Sequence, residues 1–159
     1  MSFSTADLYD EHAAEVQVAL PGFIDYGARK RFSGPLTTLK LYEDNSLVAA
    51  ALGEPGDGRV LVVDGGASMR CALVGDRLAQ LASDNHWAGI IVSGCIRDVA
   101  VIATIDIGLK ALGSNPCKSV KRNTGERDTV VSFSGVSFTP GAHVYADEDG
   151  ILISARSLF

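Results

Sequence analysis

Two short apolar runs, Val60 to Val63 and Ile90 to Val92, constrain this chain most, because neither alternates with polar residues. Such runs suit strands covered on both faces. Asp64-Gly65-Gly66 ends the first and Gly94 is expected to end the second. Between them, Leu78, Leu81 and Ala82 fall at helical spacing. The spacing predicts a helical stretch from about Ser68 to Asn85, with Gly75 breaking it so that a second helix starts at Gly75 or Asp76. Val99 to Ile105 reads as a further short helix and Ile107 to Leu112 as the next strand. Strands and helices alternating in this way imply a mainly parallel sheet with right-handed crossovers.

The flanks read differently. Ser4 or Thr5 can cap a short helix carrying Ala6, Leu8 and Tyr9, and Glu15 to Leu20 alternates as a strand does before Pro21-Gly22. Thr37 to Tyr42 also alternates, and Asn45 stands as the cap of a helix through Leu52, with Gly53 and Pro55 beyond it. From Ser114 to Thr129 the chain is polar and irregular. After it come Val130 to Phe133, Val136 to Phe138, His143 to Ala146 and Ile151 to Ser154, separated by Ser134-Gly135, Pro140-Gly141 and Asp147-Glu148-Asp149-Gly150. Such a change from βαβ units to hairpins predicts an antiparallel second layer. With no Pro/Ser-rich linker and no repeat, residues 1–159 are expected to form one α/β domain.

Composition narrows the function classes. A net charge of -5 disfavours nucleic acid as a direct partner, and the basic cluster Lys118, Lys121, Arg122 reads as solvated surface. No window is long and apolar enough to span a membrane, and the N-terminus shows no signal-peptide pattern, so a cytoplasmic location is expected. Cys71, Cys95 and Cys117 are odd in number and form no Cys-x-x-Cys pair, which argues against a disulfide framework and a zinc site. Cys71 and Cys95 read as small buried hydrophobes.

Two segments carry chemistry. Gly75-Asp76-Arg77-Leu78 opens a helix, whose first amides lack intrahelical acceptors and suit the carboxylate of a small acid. An ordinary cap accounts for that segment taken alone. Twenty residues after Asp76 comes Arg97-Asp98, just past a buried strand. Arginine offers a fork of donors to a carboxylate or enolate oxygen, and aspartate is a hard ligand for Mg²⁺ or Mn²⁺. Both segments would stand near the ends of two successive elements of one βαβ unit, and open α/β sheets bind their ligands in the crevice at the carboxyl ends of strands. Arg127-Asp128 has the same composition without a strand directly before it, and reads as a turn or subunit contact. His86 reads as a packed residue near a helix end, and Asp147 to Gly150 as a hairpin turn. Asp64-Gly65-Gly66 is not a dinucleotide fingerprint, since no Gly-x-Gly-x-x-Gly follows.

Val62-Val63-Asp64-Gly65-Gly66, Ala72-Leu73-Val74-Gly75-Asp76, Trp87-Ala88-Gly89, Gly94-Cys95-Ile96-Arg97-Asp98, Asp106-Ile107-Gly108, Ala111-Leu112-Gly113 and Tyr145 to Gly150 together resemble the RraA-like family, over about Thr5 to Ser154. That family includes regulators of ribonuclease E activity and class II 4-hydroxy-4-methyl-2-oxoglutarate aldolases. The resemblance implies a swivelling β/β/α sandwich that assembles as trimers or hexamers with sites at subunit junctions. It implies a divalent-metal-dependent aldolase with oxaloacetate decarboxylase activity, both through a pyruvate enolate. In that scheme Gly75, Asp76, Arg77, Leu78 and Arg97 hold the pyruvyl part of a 2-oxo acid. Asp98 binds the metal, directly or through its waters, and Asp76 orients a water on it. Catalysis thus falls to Arg97 and Asp76. The longer aldolases of the family carry a C-terminal extension with an acidic residue, and a chain ending at Phe159 is expected to favour decarboxylation over the aldol reaction. The alternative the resemblance implies is a non-catalytic inhibitor of ribonuclease E that binds the nuclease or a partner RNA helicase. Some relatives bear a demethylmenaquinone methyltransferase label, which the lack of a glycine-rich adenosylmethionine loop disfavours.

Overall fold

The computed structural model describes residues 2–159. In chain order the first half runs α1 (Thr5–His12), β1 (Val16–Val18), β2 (Ile24–Asp25), β3 (Phe32–Lys40), α2 (Ser46–Leu52), β4 (Val60–Asp64), β5 (Ala72–Val74) and α3 (Asp76–Asp84). The second half runs β6 (Gly89–Ile96), α4 (Val99–Ile102), β7 (Gly108–Ser114), β8 (Glu126–Arg127), β9 (Val131–Phe133), β10 (Val136–Phe138), β11 (His143–Asp147) and β12 (Gly150–Ser154). Ten strands share one sheet in the order β1-β12-β11-β3-β4-β6-β7-β2, with β5 also on β6 and β8 also on β3.

β3 belongs to both halves of this sheet. Its start, Phe32 to Pro35, pairs antiparallel with β11, and its end, Leu36 to Lys40, pairs parallel with β4. Alternation along the parallel strands then fills two cores. Leu61, Val63, Ile90 and Val92 face the helices with Val48, Leu52, Ala79 and Ile102. Val60, Val62 and Ile91 face the antiparallel half with Val144, Ile151 and Ile153, while β9 and β10 add Val131, Val136 and Phe138. This is the expected β/β/α layering, a mixed α/β domain. A smaller cluster of Leu8, Tyr145 and Leu152 seats α1 on the outer face of the antiparallel layer. Ser4 caps α1 through the Asp7 amide, as the sequence predicts. No helix among the described residues is long and apolar enough to cross a membrane.

Four expectations are corrected. Residues 68–85 are not one broken helix: Cys71 to Val74 is buried, and β5 pairs parallel with β6. A short apolar run fits strand or helix equally well until a neighbour supplies the hydrogen bonds. Gly94 does not end its strand, because β4 accompanies β6 only to Ser93 and β5 takes over at Cys95 and Ile96. The first half of β3 was hidden by Gly34-Pro35, a pair that normally argues against a strand. Asn45 occupies the cap position of α2, but the side chain that caps the helix is that of Asp44, which accepts from the Ser46 amide at 2.9 Å.

Phe32 shows how tightly the two sheet halves meet. A Cβ on Gly89 of β6 would lie 2.3 Å from its ring, and one on Gly108 of β7 would lie 2.2 Å away. Only glycines at these paired positions leave room for the ring. Gly89→Ala should therefore cost about 1–3 kcal/mol through overpacking, read as a lower urea midpoint at unchanged slope. An unchanged midpoint would mean that the ring swings away freely.

Candidate functional site

β5 and β6 are parallel neighbours, so the turns that follow them open on the same side of the sheet. The Arg97 amide donates to the Val74 carbonyl at 2.9 Å and ties the two turns together. Gly75 to Leu78 and Arg97-Asp98, separate in sequence, thus form one rim. They line a cleft of about 1020 Å³ that also takes in Asn45, Ala72 and the segment Lys118 to Lys121.

The local backbone is built around Asp98. It adopts a left-handed conformation, φ 62° and ψ 41°, which aspartate tolerates better than most residues. That turn brings its Oδ2 within 3.0 Å of the Asp76 amide, where it caps α3 from outside the helix. A Cβ on Gly75 would stand 2.8 Å from the same oxygen, so glycine leaves the room that the carboxylate fills. The Arg77 amide donates to Asp76 Oδ1 at 2.8 Å, and the Ala79 amide to the Gly75 carbonyl at 3.0 Å. The expected cradle is narrower than the sequence suggests. Two of its four amides already hold the protein's own carboxylates, which leaves the Gly75 N–H and, within the helix's first turn, the Leu78 N–H without a protein acceptor among the described residues.

Charge in the cleft is unbalanced. Neither Arg77 nor Arg97 enters an ion pair among the described residues, and Arg97 makes one long contact, Nη1 to the Pro116 carbonyl at 3.4 Å. Asp98 Oδ1 and Asp76 Oδ2 accept no hydrogen bond among the described residues. The arrangement offers an arginine fork, two open amides and two free carboxylate oxygens to a ligand. No cluster of three or more His, Cys, Asp or Glu gathers anywhere among the described residues. A cation held here would therefore rest on one or two carboxylates and keep several waters, as Mg²⁺ does.

The basic cluster is exposed, as expected, and two of its lysines border the cleft. Lys118 bridges to Ala72 of β5, the Ala72 amide donates to the Cys117 carbonyl at 2.7 Å, and both Lys118 and Lys121 face the cleft. Asn45 joins them: its Nδ2 donates to the Leu73 carbonyl at 3.1 Å, its amide to Ser119 Oγ at 3.2 Å, and its buried Oδ1 has no partner. The sequence did not reveal that Asn45 and the two lysines share the cleft, because the parallel pairing of Lys118 with Ala72 beside β5 is what delivers the lysines. Arg127 stands in β8, antiparallel to β3, rather than in the turn expected of Arg127-Asp128, and its neighbours explain it structurally. Arg127 forms a two-pronged pair with Glu54, Asp128 accepts from Thr37 Oγ1 at 2.9 Å, and Asp147 to Gly150 closes the β11–β12 hairpin. Burial pushes the thiols of Cys71 and Cys95 up, which suits inert core residues, and Cys117 is exposed.

Comparison with known proteins bears on this geometry. The family model RraA-like, Aldolase/RraA, matches residues 5–153. A protein of Alkalilimnicola ehrlichii named as a candidate 4-hydroxy-4-methyl-2-oxoglutarate aldolase is 58% identical over 158 residues, 99% of this chain and 98% of its own. One of Aromatoleum aromaticum with the same name is 57% identical, over 99% of each chain. Among solved structures, the RNA-processing inhibitor RraA from Thermus thermophilis superposes with a TM-score of 0.96 at 42% identity, covering 100% of this chain and 96% of that one. An S-adenosylmethionine: 2-dimethylmenaquinone methyltransferase from Geobacillus kaustophilus superposes with a TM-score of 0.95 at 49% identity, covering 98% and 97%. Likeness of this extent, in sequence and in fold, leaves one conclusion: the chain belongs to the RraA-like family.

Proposed function

We propose that the cleft binds a 2-oxo dicarboxylic acid and breaks the carbon–carbon bond next but one to its carboxylate. The reactions are retro-aldol cleavage of 4-hydroxy-4-methyl-2-oxoglutarate to two pyruvates and decarboxylation of oxaloacetate. The observation that carries this reading is the unpaired Arg97 beside two half-free carboxylates at the ends of β5 and β6. The names of the relatives at 57–58% identity support the aldolase assignment.

In both reactions the electrons of the broken bond pass to C3 of the pyruvyl fragment and its 2-oxo oxygen gains negative charge. Arg97 and the Leu78 N–H hold the carboxylate and that oxygen, and the arginine fork gains strength as the charge develops. The donor set fits a hard divalent cation, Mg²⁺ or Mn²⁺, held by Asp98 with Asp76 nearby, and such an ion would supply Lewis-acid stabilisation of the same oxygen. In the aldol direction a base must also take the proton of the 4-hydroxyl group. Asp76, through its free Oδ2, orients the water that takes it. Decarboxylation needs no such base. Assembly as a trimer or hexamer would add a neighbour's groups to the open side of the cleft.

The turn after β4 gives no support for a nucleotide-type cofactor. The Gly65 and Ala67 amides both donate to the Ser93 carbonyl, at 3.2 and 3.1 Å, and the Gly66 amide donates to Asp64 Oδ1 at 2.9 Å. All three donors are thus turned onto the chain itself. The likeness to the Thermus inhibitor supports a second role, docking to an RNA-degrading enzyme such as ribonuclease E or to its helicase partner. That role would need neither the free arginine nor the carboxylate pair.

The test is pyruvate release from both substrates, with Mg²⁺ and again with EDTA, on the native chain and on Asp76→Ala. Turnover of both that EDTA removes is the expected result. In Asp76→Ala the aldol rate should fall by about 10²–10³, as loss of a base commonly does, and decarboxylation by less than tenfold. Equal losses would remove the proton-handling role of Asp76. No turnover of either substrate would move the weight to the docking role.

A further inference from the structure

Asp44 is a carboxylate with 1% of its surface exposed, and nothing in the proposed chemistry uses it. It lies between two parts of the chain about 75–80 residues apart in sequence. From α2 it accepts the Ser46 amide at 2.9 Å and the Ser46 hydroxyl at 2.6 Å. From the loop that follows the cleft-lining lysines it accepts the Arg122 amide at 2.8 Å, the Thr124 amide at 3.1 Å and the Thr124 hydroxyl at 3.0 Å. The Asn123 amide reaches Ser46 Oγ at 3.3 Å, and Ser119 Oγ accepts from the Asn45 amide. Five donors on one buried carboxylate hold it ionised far below the usual carboxylate range, against the opposing effect of burial. Among the described residues no lysine or arginine side chain pairs with it, and its partners are amides and hydroxyls.

A buried anion of this kind is costly unless all its partners stay in place, so it fixes their positions. The segment it fixes is the one that carries Lys118 and Lys121 into the cleft. Arg97 and Leu78 line the same cleft. We propose that Asp44 is the positioning residue for a second anion subsite: it holds the loop of residues 118–124 so that Lys118 and Lys121 receive the far carboxylate of a dicarboxylic 2-oxo acid. This rests on the reading of the cleft as a 2-oxo acid site and adds the basis on which it selects dicarboxylates over monocarboxylates.

The probes are two unreactive acids of equal chain length, 2-oxoglutarate and 2-oxopentanoate, which differ in the far carboxylate. Their dissociation constants are measured by calorimetry with Mg²⁺ present, on the full chain and on Asp44→Asn and Thr124→Val. The native protein should bind 2-oxoglutarate about tenfold tighter, the scale of one charged hydrogen-bonded contact. In Asp44→Asn that ratio should fall towards one while 2-oxopentanoate affinity stays within about twofold. Thr124→Val removes one hydroxyl donor and should lower the ratio about threefold. If Asp44→Asn shows no cooperative melting, Thr124→Val decides alone. A purely structural role would weaken both acids together, and that result, or a native ratio near one, overturns the proposal. Because neither probe reacts, loss of the lyase reading would show as absent turnover with the ratio intact.

Discussion

Arg97→Ala should lower kcat for aldol cleavage and for decarboxylation alike, each by about 10²–10³, the usual cost of losing one donor to a developing oxyanion. The two reactions share the pyruvyl end, and the guanidinium is the cation nearest the turn that links β5 to α3. The fold does not depend on this side chain. Its backbone amide holds Val74, which alanine retains, while its guanidinium makes a single 3.4 Å contact to a carbonyl. Thermal stability should therefore stay within about 1 kcal/mol of native, as for a partly exposed residue outside the core. Arg97→Lys keeps the charge and loses the planar fork, so it should recover only part of the rate. Native kcat in Arg97→Ala would remove the enolate reading of the cleft. A large fall in melting temperature would instead make Arg97 a structural residue.

What the sequence made legible follows from where the hydrogen bonds go. β4, α2, α4 and the C-terminal hairpins were readable because local signals and tertiary context agree there. β5 was not, since three apolar residues acquire a strand conformation only from β6 beside them. The start of β3 was hidden for the opposite reason: Pro35 sits in a register with His143 that tolerates it, and no local rule reveals such a partner. The site divides along the same line. Arg97 and Asp98 could be found because they follow a strand legible in the sequence, and Asp76 because it opens the helix of the same βαβ unit. Asn45, Lys118 and Lys121 come from two distant loops that meet because Lys118 pairs with Ala72 alongside β5 and Asn45 with Ser119. The one available signal was Asp44-Asn45-Ser46, three residues that favour caps and local backbone bonds, and it was read as one helix cap alone.

Asp98→Asn should slow both reactions severely and weaken the binding of Mn²⁺, while leaving the fold intact. Asparagine shares aspartate's tolerance of the left-handed region, so φ 62° stays accessible. Its amide oxygen can still accept the Asp76 N–H now held at 3.0 Å, and its backbone carbonyl still receives the Ile102 amide at 2.9 Å. The substitution thus removes one negative charge and little else. If that charge holds a divalent cation, the loss amounts to several kcal/mol of transition-state stabilisation, on the order of 10³ in rate. Mn²⁺ affinity by calorimetry should fall by at least about tenfold to a hundredfold, with melting temperature nearly unchanged. Asp98→Ala is the informative companion, because it also discards the cap on α3 and places alanine in a left-handed turn. It should lose about 1–2 kcal/mol of stability in addition to activity. Should Asp98→Asn keep both its rate and its Mn²⁺ affinity, the cation must rest elsewhere. The bond to the Asp76 amide would then be the whole purpose of this carboxylate.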